Sequence, residues 1–226
     1  MDIKAVIFDM YETLITQYRN EPYFTGNIAK DAGIEEKSFR KYWSVTEEDR
    51  TLGRASLKGV TGSIMQRFNC YSKERLDYIY SQRIKSKSEQ FNHLHSEILP
   101  MLKALKENNI KTGIISNCYL EEAEVIENSL LYPYFDVVVL SCREGIQKPE
   151  LKIYNLCMER LNILPKNCLY AGDGGCRELY GAKEAGMNTF QACWYIKEWQ
   201  EDYRQKEFEA VYSPMEIVNI ISGQDT

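Results

Sequence analysis

The feature that most constrains this chain is an alternation of two patterns. Ile3-Lys4-Ala5-Val6-Ile7-Phe8 is a short, largely apolar run that ends at Asp9. Thr112 to Ser116, Asp136 to Ser141 and Cys168 to Ala171 repeat the pattern, with shorter versions at Asn188 to Ala192 and Ala210 to Tyr212. Such runs fit strands buried on both faces, as in a parallel sheet. Helical patterns lie between them. Ile98, Leu99, Met101, Leu102 and Leu105 share one face, with Pro100 in the first turn and Asn108-Asn109 at the end. Leu151, Tyr154, Cys157, Met158 and Leu161 follow Pro149, and Glu178 to Ala185 closes on Gly186. Proline suits a helix start and glycine a helix end. The alternation predicts an α/β fold: a Rossmann-like parallel sheet with helices on both faces.

Residues 16–95 break the alternation. They hold no convincing strand, and their apolar residues recur at helical spacing, as in Phe39, Tyr42 and Trp43, or Ile64, Met65 and Phe68. Periodicity predicts an all-helical insertion of about four helices. The expected organisation is therefore a core of residues 1–15 and 96–226 with a helical domain at 16–95.

Composition then excludes several classes. The chain has 226 residues, enough for a core without disulfide or metal staples. No apolar run approaches the length of a membrane span, and no export signal is seen at the N-terminus. Seven cysteines without a C-x-x-C pair, and only His93 and His95 as histidines, argue against zinc and against a histidine-based triad. Free thiols point to a reducing, cytoplasmic setting. Net charge is −5, which argues against nonspecific nucleic-acid binding. The insertion runs the other way: 14 Lys and Arg against 10 Asp and Glu give it +4. Either surface charge simply fluctuates, or a mildly basic segment draws in a small anion.

In an open α/β sheet, ligands bind beyond the carboxyl ends of the strands. The first strand delivers Asp9 there and the second delivers Ser116 and Asn117. The fourth delivers Asp173 within Gly172-Asp173-Gly174-Gly175, with Glu178 opening the next helix and Lys148 in an intervening loop. Asp9 and Asp173 at close range repel unless a cation lies between them. All-oxygen ligation suits Mg²⁺, which pairs with phosphate.

In this order the motifs resemble the haloacid dehalogenase superfamily: Phe8-Asp9-Met10-Tyr11-Glu12-Thr13-Leu14, Ile114-Ile115-Ser116-Asn117, Lys148-Pro149, and Gly172-Asp173 through Glu178 into Gly181-Ala182 and Ala185-Gly186-Met187. The resemblance spans essentially the whole chain, with the insertion as a helical cap after the first motif. It implies Asp9 as nucleophile, Ser116 and Asn117 as substrate-binding residues, and Lys148 neutralising charge on nucleophile and substrate. It also implies Mg²⁺ held by Asp9, Asp173 and the Tyr11 backbone carbonyl, supported by Glu178, Thr13 and Glu12. The implied substrate is a small anion, with no nucleic-acid or membrane partner; oligomeric state is not legible.

Two departures bear on the reaction. Family phosphatases carry Asp two residues after the nucleophile, as the acid for the leaving oxygen; here that position is Tyr11, and Glu12 stands where Gly is usual. Tyr at this position resembles the dehalogenases, which need no acid because halide needs no proton. Those enzymes work without metal and replace the first acid of the last motif by Ser, whereas this chain keeps Asp173 and Glu178. The reading favoured is a Mg²⁺-dependent phosphatase acting through an aspartyl-phosphate at Asp9. A dehalogenase using Asp9 on carbon, or a noncatalytic binding protein on the same fold, is the alternative. Glu12 is one candidate for the missing acid. Trp194 to Trp199 reads as packing rather than a base-stacking platform, and His93-Leu94-His95 as a linker. Cys118 and Cys176 flank the expected site.

Overall fold

The computed structural model describes residues 2–196 and 203–223. Six strands form one parallel sheet: β1 (Ala5–Phe8), β2 (Lys111–Ser116), β3 (Val137–Leu140), β4 (Cys168–Gly172), β5 (Asn188–Ala192) and β6 (Glu209–Val211). Their order is β3-β2-β1-β4-β5-β6. The chain therefore winds to one side of β1 and then to the other, and the crevice of this switch opens at the carboxyl end of β1, where Asp9 sits. Phe8 is in register with Ile114 of β2 and Ala171 of β4, so Asp9, Ser116 and Asp173 all emerge at one edge.

β1 is buried on both faces, as expected. Val6 and Phe8 pack into a core with Ile98, Met101 and Ile217, and Ala5 and Ile7 into a second core with Ile153, Cys157 and Leu179. A strand sends successive side chains to opposite faces, so both faces are dry and both carry helices.

Residues 25–89 are helical: α1 (Thr25–Ala32), α2 (Glu36–Trp43), α3 (Glu47–Thr51), α4 (Leu57–Arg67) and α5 (Lys73–Glu89). These five helices, against the expected four, include α3, which is too short to show a periodic pattern. Ser56 and Ser72 cap α4 and α5 by accepting hydrogen bonds from the Gly59 and Arg75 amides at 3.1 and 3.2 Å. The insertion has its own core, built on Ile28, Phe39, Trp43, Leu57, Met65 and Ile79. Six more helices cover the sheet: α6 (Ile98–Glu107), α7 (Leu120–Glu127), α8 (Ser141–Glu144), α9 (Leu151–Leu161), α10 (Glu178–Glu184) and α11 (Pro214–Ser222).

Several strand ends differ from expectation by one or two residues. Asp136 lies just outside β3 because its carboxylate accepts the Thr112 amide at 2.8 Å, fastening the start of β2. Ser141 starts α8 instead of ending β3; its hydroxyl accepts the Cys118 amide at 3.0 Å and donates to the Thr51 carbonyl at 2.8 Å. That hydroxyl thus ties the sheet to the insertion. Tyr212 lies beyond β6.

Candidate active site

Asp9 follows β1 directly and is 5% exposed. One ligand atom from each of Asp9, Asp173 and Glu178 lies within 4.8 Å of the others. Lys148 reaches into this group from its loop. Its ammonium donates to both the Asp9 and the Glu178 carboxylates and lies 3.5 Å from the Tyr170 hydroxyl. Burial favours the neutral amine, but the two carboxylates outweigh it and hold Lys148 charged, its pKa raised.

One ammonium does not balance this much negative charge. Burial first, then the charge of Glu178, pushes Asp9 up to about 7 even with Lys148 beside it. Burial and the same two carboxylates push Asp173 well above its ordinary value. Buried, all-oxygen and short of positive charge, the cluster fits a hard divalent cation.

Local structure explains each placement. Tyr170 points to the same face of β4 as Gly172, and its hydroxyl donates to Glu178 at 2.8 Å. The Gly174 amide donates to the other Glu178 oxygen at 3.0 Å. A Cβ at Gly172 would stand 2.1 Å from that same oxygen, so only glycine leaves room for the acid. Asp173 accepts the Gly175 amide at 2.9 Å, and Gln191 donates to the Asp173 carbonyl at 2.8 Å. Asn117 brackets Lys148: its amide donates to the Lys148 carbonyl at 3.0 Å and accepts the Lys148 amide at 2.8 Å. The side-chain amide of Asn117 is thereby committed to the lysine loop, whose Lys148–Pro149 bond is cis. The Ser116 hydroxyl is buried and has no partner among the described residues. Thr13 donates to Asp9 at 3.3 Å.

Glu12 adopts a left-handed backbone (φ 57°), which costs a non-glycine residue roughly 1–2 kcal/mol. Its carboxylate accepts the Thr16 hydroxyl at 2.7 Å and the Gln17 amide at 2.9 Å. It thus fastens the turn that leaves the first motif. Tyr11 lies under the Lys87 ammonium, 4.5 Å from the ring centroid, and burial together with the Glu122 charge raises its phenol far above the ordinary value.

The other sequence candidates have structural partners. Trp194 donates to the Thr13 carbonyl at 2.7 Å and Tyr195 to the Leu14 carbonyl at 3.4 Å, so both brace the first motif; Lys197 to Trp199 lie outside the described residues. His95 accepts the Glu97 amide at 3.2 Å, and His93 lies 3.3 Å from Glu89. Cys176 is exposed, and Cys118 is buried with its sulfur 3.8 Å from that of Cys142.

Sequence reasoning missed two features. Tyr170 could have been found from its period-two spacing to Gly172. The other is a buried charge network between insertion and sheet. Arg83 and Lys87 of α5 both reach Glu122 of α7 at 2.8 Å, and Lys87 also donates to Gln17 at 2.7 Å. Nothing local in the sequence links residues so far apart. The same network accounts for part of the insertion's basic excess. A cavity of about 800 Å³ lies between the two parts, with Tyr11 and Asn117 on the sheet side and Trp43 and Arg50 on the other.

A doubly wound sheet with an acid cluster at its switch point and a helical insertion after its first strand defines a class, the hydrolases built on a Rossmann-like core with a helical insertion. The haloacid dehalogenase-like hydrolase family matches residues 3–186, and the chain belongs to that family. It is 33% identical over 217 residues to a glyceraldehyde 3-phosphate phosphatase from Pyrococcus furiosus, covering 91% of this chain and 87% of that protein. Its fold is similar to a HAD phosphatase from Thermococcus onnurineus (TM-score 0.67, 21% identity, 99% and 100% of the two chains). It is equally similar to a 2-haloacid dehalogenase from Pseudomonas syringae pv. Tomato (TM-score 0.68, 17% identity, 99% and 100%).

Proposed function

We propose that this hydrolase is a Mg²⁺-dependent phosphatase acting on a small phosphorylated metabolite. The carrying observation is the uncompensated acid cluster: Asp9, Asp173 and Glu178 crowd together around one lysine. A metal-free dehalogenase has no use for that repulsion, whereas a phosphatase offsets it with a cation. The P. furiosus relative, named a glyceraldehyde 3-phosphate phosphatase, supports the same choice.

Asp9, Asp173 and the Tyr11 carbonyl would hold the cation, with Glu178 supporting them. When bound, Mg²⁺ supplies charge neutralisation for nucleophile and phosphoryl oxygens together. Lys148 supplies the second positive charge. The buried, unpartnered Ser116 hydroxyl donates to a phosphoryl oxygen. An Asp9 oxygen attacks phosphorus; the new O–P bond forms as the ester O–P bond breaks, and the alkoxide leaves with the bond pair. Water then cleaves the acyl-phosphate, restoring the Asp9 carboxylate and releasing inorganic phosphate. Neither position that could supply the acid next to the nucleophile does so, because Glu12 is engaged by Thr16 and Gln17 and position 11 is a phenol. General acid catalysis worth roughly 10²–10⁴-fold is missing from the first step.

Tyr11 favours a second reading, attack of Asp9 on a carbon bearing halide. One experiment separates the two: phosphate release from phosphorylated metabolites and halide release from 2-haloacids, each with Mg²⁺ and with EDTA. Phosphate release that EDTA and Asp9→Asn abolish supports the phosphatase. EDTA-insensitive halide release overturns it.

A further inference from the structure

Arg50 of α3 is 1% exposed, yet it lies in the wall of the cavity between insertion and sheet. Its guanidinium is held flat between two rings, 3.9 Å from the Trp43 centroid and 4.3 Å from the Tyr119 centroid. Nε donates to the Thr46 hydroxyl at 3.2 Å and Nη2 to the Trp43 carbonyl at 3.4 Å. Nη1 is buried and has no partner among the described residues.

This is an unusual way to keep an arginine. A buried cation is ordinarily paired with a carboxylate, and a buried N–H without an acceptor costs about 1–3 kcal/mol. The other inward cations of the insertion are paired with an acid, Arg83 and Lys87 both meeting Glu122, although Arg83 Nε also lacks a hydrogen-bond acceptor. No described carboxylate forms an ion pair with Arg50. Glu47 and Glu48 also line the cavity, but both are exposed, and Glu48 faces Arg54 at 3.6 Å. Stacking on two rings orients the guanidinium and supplies part of the missing attraction. It supplies no acceptor for Nη1.

We propose that Arg50 is a second anion subsite, which recognises a carboxylate at the far end of a phosphorylated substrate. The phosphoryl end of that substrate rests on the phosphatase reading; the subsite rests on Arg50 alone. Tyr11, two residues past Asp9, and Asn117, whose side chain holds the Lys148 backbone, line the same cavity as Arg50, so the subsite calls for a substrate that reaches through this cavity toward Asp9. Trp43 and Arg50 belong to the insertion and Tyr119 to the sheet. Their separation uncovers Nη1, and their return encloses the bound carboxylate away from water. A charge-assisted hydrogen bond then replaces an unmade one.

The test is calorimetric titration of the full-length Asp9→Asn protein with Mg²⁺ present. The ligands are 3-phosphoglycerate and its neutral-ended counterparts, glyceraldehyde 3-phosphate and glycerol 3-phosphate. The acid is expected to bind about 10- to 100-fold more tightly. Arg50→Gln on the same background is expected to erase that preference, and Arg50→Lys to keep a fraction of it. A residue with only a structural role would weaken all three ligands alike. Equal binding of the three, binding of none, or a preference that survives Arg50→Gln overturns the subsite. Where circular dichroism shows Arg50→Gln unfolded, Arg50→Lys decides, an undiminished preference overturning the proposal. Phosphate release from p-nitrophenyl phosphate by the unaltered protein judges the phosphatase reading separately. Its absence with the carboxylate preference intact sinks that reading and leaves the subsite standing.

Discussion

Arg83 and Glu122 form a buried ion pair at 2.8 Å between the helical insertion and the sheet domain. The arginine comes from the middle of α5, and the glutamate from the first turn of α7, where it also accepts the Tyr119 amide at 3.0 Å. Arg83 further donates to the Tyr23 carbonyl at 2.7 Å, and Glu121 lies 3.8 Å from its Nε. The pair ties α5 of the insertion to α7 of the sheet domain.

Breaking one side of such a pair leaves an unpaired buried charge, so Arg83→Ala should destabilise the protein by about 3–5 kcal/mol. Replacing both partners, Arg83→Met with Glu122→Leu, should recover most of that loss. Urea denaturation of the two singles and the double gives the coupling; additive effects would show that the contact carries no energy of its own.

The same pair sets a pH dependence. Burial alone would raise Glu122, but Lys87 and Arg83 outweigh it and hold its carboxyl below the usual range. A carboxyl depressed in the folded state contributes stability in full above its unfolded value of about 4.3 and loses it as pH falls through the folded value. Glu121 has the opposite sign: burial and Glu122 raise it, so it protonates earlier and relieves repulsion. The stability gap between the natural protein and Glu122→Gln should therefore hold through pH 5 and close below about pH 4. A gap independent of pH would contradict the sign assigned here.

Without an acid at position 11, the first chemical step depends on the leaving group. The hydrolysis rate should fall as the leaving-group pKa rises across a series from nitrophenyl to alkyl phosphates. Tyr11→Asp should flatten that dependence and raise the rate on alkyl esters by up to about 10²-fold. Glu12→Gln should leave the slope unchanged, since that carboxylate holds a turn. A flat series in the natural protein would restore a general acid to the site.

Removing one acid from the cluster exchanges function for stability. Asp173→Asn should stabilise the metal-free protein by about 0.5–2 kcal/mol, seen as a higher melting point, while abolishing the stabilisation that added Mg²⁺ gives. Thermal melts with EDTA and with Mg²⁺ measure both. A variant still stabilised by Mg²⁺ to the natural extent would remove Asp173 from the ligand set.

Gly172→Ala should act on the same acid by a steric route. Its Cβ would stand 2.1 Å from a Glu178 oxygen, so the acid must move from the Gly174 amide. A loss of about 1–3 kcal/mol in stability, with weakened Mg²⁺ binding, is expected from denaturation and metal titration.

The sequence by itself determined the sheet, the placing of Asp9, Ser116 and Asp173 at strand ends, and a helical insertion between β1 and the rest. These are local or periodic properties: an apolar run reads as a strand, and a residue one step past it reaches the carboxyl edge. Short α3 was lost because five residues carry no period. Only the tertiary structure decided that Asn117 holds the lysine loop, that Glu12 fastens a turn, and that Tyr170 braces Glu178. It alone paired Arg83 and Lys87 with Glu122 and left Arg50 without an acid among the described residues. Charge in a sequence is a count, whereas neutralisation depends on which side chains share a buried space. That is fixed by contacts between residues far apart in the chain, which no pattern along it encodes.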